Sequence, residues 1–167
     1  MSRWERAIEG FVTTRVGGWL AVHVANPIDR RLLPLTHGRV GLYLGAQVGV
    51  LEAIGAKSGD PRRTPLLYLD EGERVVLVAS KAGSPRHPAW YHNVKANPSV
   101  RFLRRRGHEA EYTAREAVGA ERERLWAKAN DLYAGYETYR QRAGARRIPV
   151  VVLDPANQPG RTDSPPR

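Results

Sequence analysis

Cysteine is absent from the 167-residue chain. That excludes a disulfide scaffold, a thiolate nucleophile and any Cys-ligated zinc or iron–sulfur centre, and leaves oxygen, nitrogen or a bound cofactor to carry chemistry. Long hydrophobic runs are absent too, since none reaches the roughly 18 residues that span a bilayer. The opening Met1-Ser2-Arg3-Trp4-Glu5-Arg6 mixes charges without the uninterrupted apolar run of a signal peptide. The expectation is a cytoplasmic protein. Lysine is scarce, with Lys57, Lys81, Lys95 and Lys128 the only ones among 27 basic residues. Acidic residues number 17, which leaves a net charge of +10. A surplus of that size concentrates anions near the surface, so a phosphorylated cofactor, an acidic lipid surface and nucleic acid are the partner classes to weigh. With 41% hydrophobic residues the chain can bury a core, and its length suits one domain.

Apolar residues at Trp4, Ala7, Ile8, Phe11 and Val12 follow the i, i+3, i+4 spacing of an amphipathic helix, so residues 1–35 read as an N-terminal amphipathic helical segment. It either packs on the domain or, being basic and Trp-bearing, lies peripherally on an anionic membrane. Residues 47–54 read as a strand leaving through the turn-rich Gly55-Ala56-Lys57-Ser58-Gly59-Asp60-Pro61. Residues 66–69 and 75–79 form a hairpin across Asp70-Glu71-Gly72-Glu73-Arg74. Pro88 opens a short helix through Trp90, Tyr91 and Val94, which Pro98 closes. Strands 99–104 and 108–113 follow, turning at 105–107. Thr113-Ala114-Arg115-Glu116 matches a capping box and predicts a helical region to about residue 141, with Leu125, Trp126, Ala129, Leu132, Tyr133 and Tyr136 facing inward. Residues 148–153 supply the last strand, and 156–167 are expected to be a disordered tail. The order predicts an α+β domain over 36–155, built on a small antiparallel barrel.

Lys57-Ser58-Gly59 does not complete G-x-x-x-x-G-K-[ST], which argues against a nucleotide triphosphatase. With Arg62 and Arg63 it is either an anion cradle or a solvated turn. Ser80-Lys81-Ala82-Gly83-Ser84-Pro85 joins a buried strand to the helix at Pro88, whose free N–H groups favour a negative ligand atom. Five scattered histidines pair with no carboxylate at i, i+4, so no metal site is expected. Tyr133, Tyr136 and Tyr139 recur at i, i+3 and i+6, either as core or as phenol donors for a carbonyl or nitro oxygen. Arg101, Arg104, Arg105 and Arg106, with Arg146 and Arg147, form a basic run, but no recognition helix or stacking platform accompanies it. Nucleic acid is not an expected partner.

Taken together, Gly55-Ala56-Lys57-Ser58-Gly59 with Pro61-Arg62 and Pro65-Leu66, then Val78-Ala79-Ser80-Lys81-Ala82-Gly83, then the run from His87-Pro88-Ala89-Trp90 through Asn93 to Pro98, resemble the deazaflavin-dependent nitroreductase family. The likeness continues through the three tyrosines to Ile148-Pro149-Val150-Val151-Val152-Leu153. It implies a split β-barrel of six antiparallel strands with flanking helices, like the FMN-binding barrels. It also implies binding of reduced coenzyme F-420, a deazaflavin, and hydride transfer to a quinone, an enone or a nitroaromatic. By the same resemblance Lys57, Arg62 and Lys81, with Ser58, would meet the phosphate and oligoglutamate tail. Pro65, Ser80, Pro88, Ala89, Trp90 and Asn93 would line the deazaflavin, while Ser80, Tyr133 and Tyr136 would face the acceptor with Tyr139 as a lid or wall. Where the family often has Gly-Arg-Lys-Ser-Gly this chain has Ala56, and Glu52 stands nearby. The alternative is a non-catalytic barrel of the same class holding a lipid or another anionic ligand. Barrels of this size often bury a sheet face by forming a homodimer.

Overall fold

The structure, a computed structural model, describes residues 47–105 and 107–156. The N-terminal helical segment, the tail beyond 156 and Arg106 of the 105–107 turn lie outside them. Six strands are formed: β1 (Val48–Ile54), β2 (Pro61–Glu71), β3 (Arg74–Val78), β4 (Ser99–Leu103), β5 (Glu109–Glu116) and β6 (Val150–Pro155). They close into an antiparallel barrel in the order β1-β2-β3-β6-β5-β4. The helices are α1 (Ala89–Ala96), α2 (Gly119–Leu132) and α3 (Gly135–Arg142), with a 3-10 turn at Lys81–Gly83.

Alternation along each strand separates two apolar layers. Leu51, Ala53, Tyr68, Val75, Leu77, Phe102, Tyr112, Val151 and Leu153 fill the barrel, joined by Trp90, Tyr91 and Val94 of α1. Val76, Val150 and Val152 face the other way, into a layer with Leu125, Trp126 and Ala129 of α2 and Tyr136 and Tyr139 of α3. Strands β3 and β6 are thus covered on both faces, which is why Val150-Val151-Val152-Leu153 is apolar without alternation. Gly49 lets the Phe102 ring close on β1: a Cβ there would lie 2.5 Å from that ring.

Three sequence expectations are corrected. Strand β2 starts at Pro61, because its first half pairs with β1 from Pro61↔Ile54 to Leu67↔Val48. The Thr113–Glu116 stretch is the end of β5, where Thr113 pairs with both Ser99 and Asp154 and Ala114 with Leu153. Two ladders outweigh one side-chain cap, and α2 instead begins at Gly119 after Val118 with no side-chain cap. The helical region also breaks: Tyr133 is extended at φ −150°, ψ 100°, and leaves Leu132 36% exposed rather than inward. Gly135 permits the break, since a Cβ there would sit 2.3 Å from the Tyr133 ring.

Candidate active site

The β1–β2 turn is built by its own hydrogen bonds. Gly55 N–H donates to the Asp60 carbonyl at 2.8 Å, and Gly59 N–H to the Gly55 carbonyl at 2.9 Å. Ser58 Oγ accepts from Asp60 N–H at 3.3 Å and from Arg62 Nη2 at 3.1 Å, and Arg62 also pairs with Asp60 at 3.2 Å. Ser58 and Arg62 therefore brace the turn. Lys57 stands exposed on it, with no carboxylate partner among the described residues. Helix α1 fixes the turn from outside: Ala56 N–H donates to Asn93 Oδ1 at 3.0 Å, and Asn97 Nδ2 donates to the Ile54 carbonyl at 3.3 Å. Glu52 does not offset Lys57, because Arg63 at 2.6 Å and Arg101 at 3.4 Å already neutralise it.

Strands β2 and β3 part next to this turn. Strand β2 has a β3 partner only from Tyr68 to Glu71, while Ala79 N–H donates to the Pro149 carbonyl at 2.9 Å and draws the chain toward β6. Pro65 lies in the parted half. Tyr68 N–H points at β1, to the Gln47 carbonyl at 3.0 Å, and donor direction alternates along a strand. Position 65 therefore turns its nitrogen to the open side, where no ladder donor is needed.

At the end of β3 the 3-10 turn holds Lys81, Ala82 and Gly83 at φ 48°, 51° and 78°. For Lys81 and Ala82 a left-handed backbone costs about 1–2 kcal/mol each. Ser80 before them is right-handed at φ −71°, ψ −42°, and a right-then-left sequence is a geometry that takes anions. Ser80 N–H is itself committed to the Val78 carbonyl at 2.9 Å, so the donors this turn offers are those of Lys81 and Ala82. The Lys81 side chain is exposed and has no carboxylate partner among the described residues. Pro88 caps α1 and is buried, Ala89 beside it is exposed, and Trp90 lies in the barrel interior.

Helix α3 rests on the same turn. A Cβ at Gly83 would lie 2.6 Å from Arg142 Cβ and 2.9 Å from the Tyr139 carbonyl oxygen, so only glycine fits. Ala82 packs into the layer that holds Tyr133, Tyr136 and Tyr139. The three rings meet edge-on or tilted, with centroids 5.2–6.4 Å apart, and the Tyr133 and Tyr139 hydroxyls are hydrogen-bonded at 3.0 Å. Tyr136 is 5% exposed, and burial pushes its phenol well above the ordinary range. Tyr133 is the half-buried member.

Ser80, Lys81 and the tyrosines are thus gathered at one edge, and Lys57, Ser58, Arg62 and Asn93 at the turn that α1 ties to it. Trp90 is core, and the roles of Ser58, Arg62 and Asn93 visible here are exerted on the turn. Within the basic run Arg101 pairs with Glu52 and Glu109, and Arg104 with Asp70 at 3.0 Å. Arg146, read from sequence as part of that run, instead reaches the carbonyls of Ala79, Ser80 and Ser84. No spacing signals a contact between positions more than 60 apart in the chain.

A closed antiparallel barrel of six strands with flanking helices is the split β-barrel class of domain. The model of the F-420H(2)-dependent quinone reductase family matches residues 30–155. An F-420H(2)-dependent quinone reductase of Mycobacterium tuberculosis is 38% identical over 154 residues, covering 83% of this chain and 97% of that protein. Among solved structures, one described as an F-420-H2 dependent reductase (FDR-A) is 40% identical with a TM-score of 0.59, over 64% of this chain and 93% of its own. Another, described as a domain-swapped dimer, is 33% identical with a TM-score of 0.61, over 77% and 97%. The chain belongs to the F-420H(2)-dependent quinone reductase family.

Proposed function

We propose that this protein transfers a hydride from reduced coenzyme F-420 to a quinone. One observation supports the fit of the coenzyme: two lysines without carboxylate partners among the described residues, Lys57 and Lys81, stand on the two turns that flank the parted β2–β3 edge. The right-then-left backbone at Ser80 and Lys81 adds N–H donors to them. Such a donor set suits a ligand with several negative charges, as a phosphate and an oligoglutamate tail supply. When bound, the reduced deazaflavin supplies the hydride, and a quinone taking it up with one proton leaves as the hydroquinone.

The residues would divide the remaining work. Lys57 and Lys81 bind the anionic tail, while Arg62 and Ser58 keep the Lys57 turn in shape. Asn93 sets that turn against α1. Pro65, Pro88 and Ala89, with Trp90 behind them, give the ring a rigid wall at the parted edge. Ser80 and Tyr133 face the acceptor, and the Tyr133 hydroxyl, held by Tyr139, donates to the quinone oxygen as negative charge develops there. Tyr136 backs the Tyr133 ring from the interior.

Titration with oxidised F-420, followed by deazaflavin fluorescence, tests the binding. Saturation at micromolar concentration or below is expected, followed by oxidation of the reduced coenzyme by menadione. No binding at high micromolar coenzyme by the folded protein would return the barrel to the lipid- or anion-holding alternative. Tyr133→Phe is expected to lower kcat for menadione by about ten- to a hundredfold with the F-420 dissociation constant unchanged. Unchanged turnover with every quinone tried would remove Tyr133 from this role. By likeness to the structure described as a domain-swapped dimer, a homodimer is also proposed, checked by sedimentation equilibrium. Peripheral docking of residues 1–35 on an acidic bilayer is tested by co-sedimentation of the full chain with anionic vesicles.

A further inference from the structure

Arg146 follows α3 by only a few residues, yet its guanidinium is spent entirely on the turn after β3 and on the residue before Pro88. Nε donates to the Ser84 carbonyl at 2.7 Å and Nη2 to the Ser80 carbonyl at 2.7 Å. Nη1 reaches the Ala79 carbonyl at 3.2 Å and His87 Nδ1 at 3.2 Å. An arginine has no acceptor, so His87 Nδ1 must accept and its proton sits on Nε2. No carboxylate lies within ion-pair distance of Arg146 among the described residues. A half-buried arginine whose partners are three carbonyls and an imidazole, with no carboxylate, is an unusual use of a charge, and what it encloses is unusual too.

The enclosed segment is the left-handed run Lys81-Ala82-Gly83, two of whose residues carry a Cβ that this backbone disfavours. Its own hydrogen bonds are two: Gly83 N–H to the Ser80 carbonyl at 3.1 Å and Ser84 N–H to the Lys81 carbonyl at 3.0 Å. Strained backbone of this kind persists only where the surroundings over-determine it. Arg146 grips the chain on both sides of the run, at Ala79 and Ser80 before it and at Ser84 after it. Through His87 the same guanidinium docks the run on the start of α1.

We infer that Arg146 is a positioning residue for the anion cradle: its planar fork holds the Ser80–Ser84 turn in the shape that presents Lys81 and its N–H groups, and registers that turn against α1. This rests on the reading of the edge as the F-420 site. Lysine cannot replace the fork, because a single ammonium cannot donate in one plane to carbonyls on both sides of a turn. Tyr139 and the turn meet at Gly83, so the clamp also fixes where the tyrosine layer stands relative to Lys81.

The test uses Arg146→Lys, which keeps the charge, with two readouts: the F-420 dissociation constant and amide exchange of Gly83 and Ser84. Positioning predicts binding weakened by about tenfold or more and exchange of those two amides faster by a similar factor, with α2 amides unchanged. It further predicts that Ala82→Gly, which relieves the left-handed strain, recovers part of the binding in the Arg146→Lys background. Arg146→Lys that binds as tightly as the parent, with unchanged exchange at Gly83 and Ser84, overturns the inference. Should that variant not fold, the parent decides: free-loop exchange rates at Gly83 and Ser84 would show that nothing clamps the turn. A parent that binds no F-420 but shows the clamped exchange pattern refutes the coenzyme reading and leaves the clamp standing.

Discussion

Ala56 offers a direct measure of how much charge the Lys57 turn needs. It is exposed, its N–H is already committed to Asn93, and the nearby Glu52 is neutralised by Arg63 and Arg101. Ala56→Arg therefore adds a cation where no local acid consumes it. F-420 is expected to bind several-fold more tightly at low salt, the gain shrinking as ionic strength rises. His87 gives a pH signature. Burial first, then the Arg146 charge, hold its imidazole below the usual value, with His92 and Lys95 adding to this and Glu116 opposing it. The unfolded chain takes up that proton at higher pH than the folded one, so the stability from neutral His87 is complete above the ordinary histidine value. It is lost as pH falls below that value toward the lowered folded one. Melting temperature should drop more steeply for the parent than for His87→Gln as pH falls from about 7 to about 5. Equal slopes would show that His87 takes up its proton over the same pH range in the folded and the unfolded chain. At this scale the lysines were legible in the sequence because glycine-rich turns and rare cations stand out. The pairing of Arg146 with His87 and the Ser80–Ser84 carbonyls was not, since no local pattern encodes it.

Among the elements, the break between α2 and α3 governs the acceptor side. An i, i+3, i+6 spacing of tyrosines implies one continuous helical face, but the rings meet because Tyr133 leaves the helix and folds over Gly135. The tyrosine pattern was therefore visible while its geometry was not: a glycine in a helical run does not announce that a ring will occupy its missing Cβ. Gly135→Ala would place that carbon 2.3–2.5 Å from the Tyr133 ring and must displace it. A loss of about 1–3 kcal/mol is expected in chemical denaturation, together with a fall in kcat larger than any change in F-420 affinity. Helix α2 is tethered independently, through Glu71 at the end of β2, which accepts from Arg124 at 2.8 Å and Lys128 at 2.5 Å. The Lys128 hydrogen bond, then that of Arg124, holds the Glu71 carboxyl below the usual carboxylate range. Its contribution is present above the ordinary carboxylate value and disappears as pH falls through the lowered folded one. Glu71→Gln should be less stable than the parent near neutrality and equal to it in acid, measured by urea unfolding at several pH values. The capping-box expectation failed for a related reason: four residues that cap a helix in isolation are worth less than two strand ladders.

For the whole molecule, the barrel was readable because its strands carry β-favouring runs, and the short connections from β1 to β2, β2 to β3 and β4 to β5 make those pairs antiparallel. Burial of β3 was readable in its unbroken apolar run, whereas Leu66-Leu67-Tyr68-Leu69, which reads the same way, is only partly buried apart from Tyr68. What sequence could not disclose is where the barrel parts, since Pro61-Arg62-Arg63 looks like a turn and is a strand only by virtue of β1.

Arg104 gives the two ends of the barrel different mechanics. From the β4–β5 turn it reaches Asp70 and the Gly72 carbonyl at 3.0 Å each, the Glu73 carbonyl, and the Tyr112 hydroxyl at 3.1 Å. That staple ties two hairpin tips together at the end remote from Lys57 and Lys81. The opposite rim has its own ties, Asn93 and Asn97 on the Lys57 turn and Arg146 on the Ser80–Ser84 turn, so the softness is confined to the parted stretch between them. Amide exchange should be slower over Tyr68–Asp70, where β2 has β3 as a partner, than over Arg62–Leu67, laddered on β1 alone. A ligand arriving at that parted stretch would meet backbone held by a single ladder and would stiffen it without disturbing the far tip, much as a drawstring closes a bag whose base is already sewn.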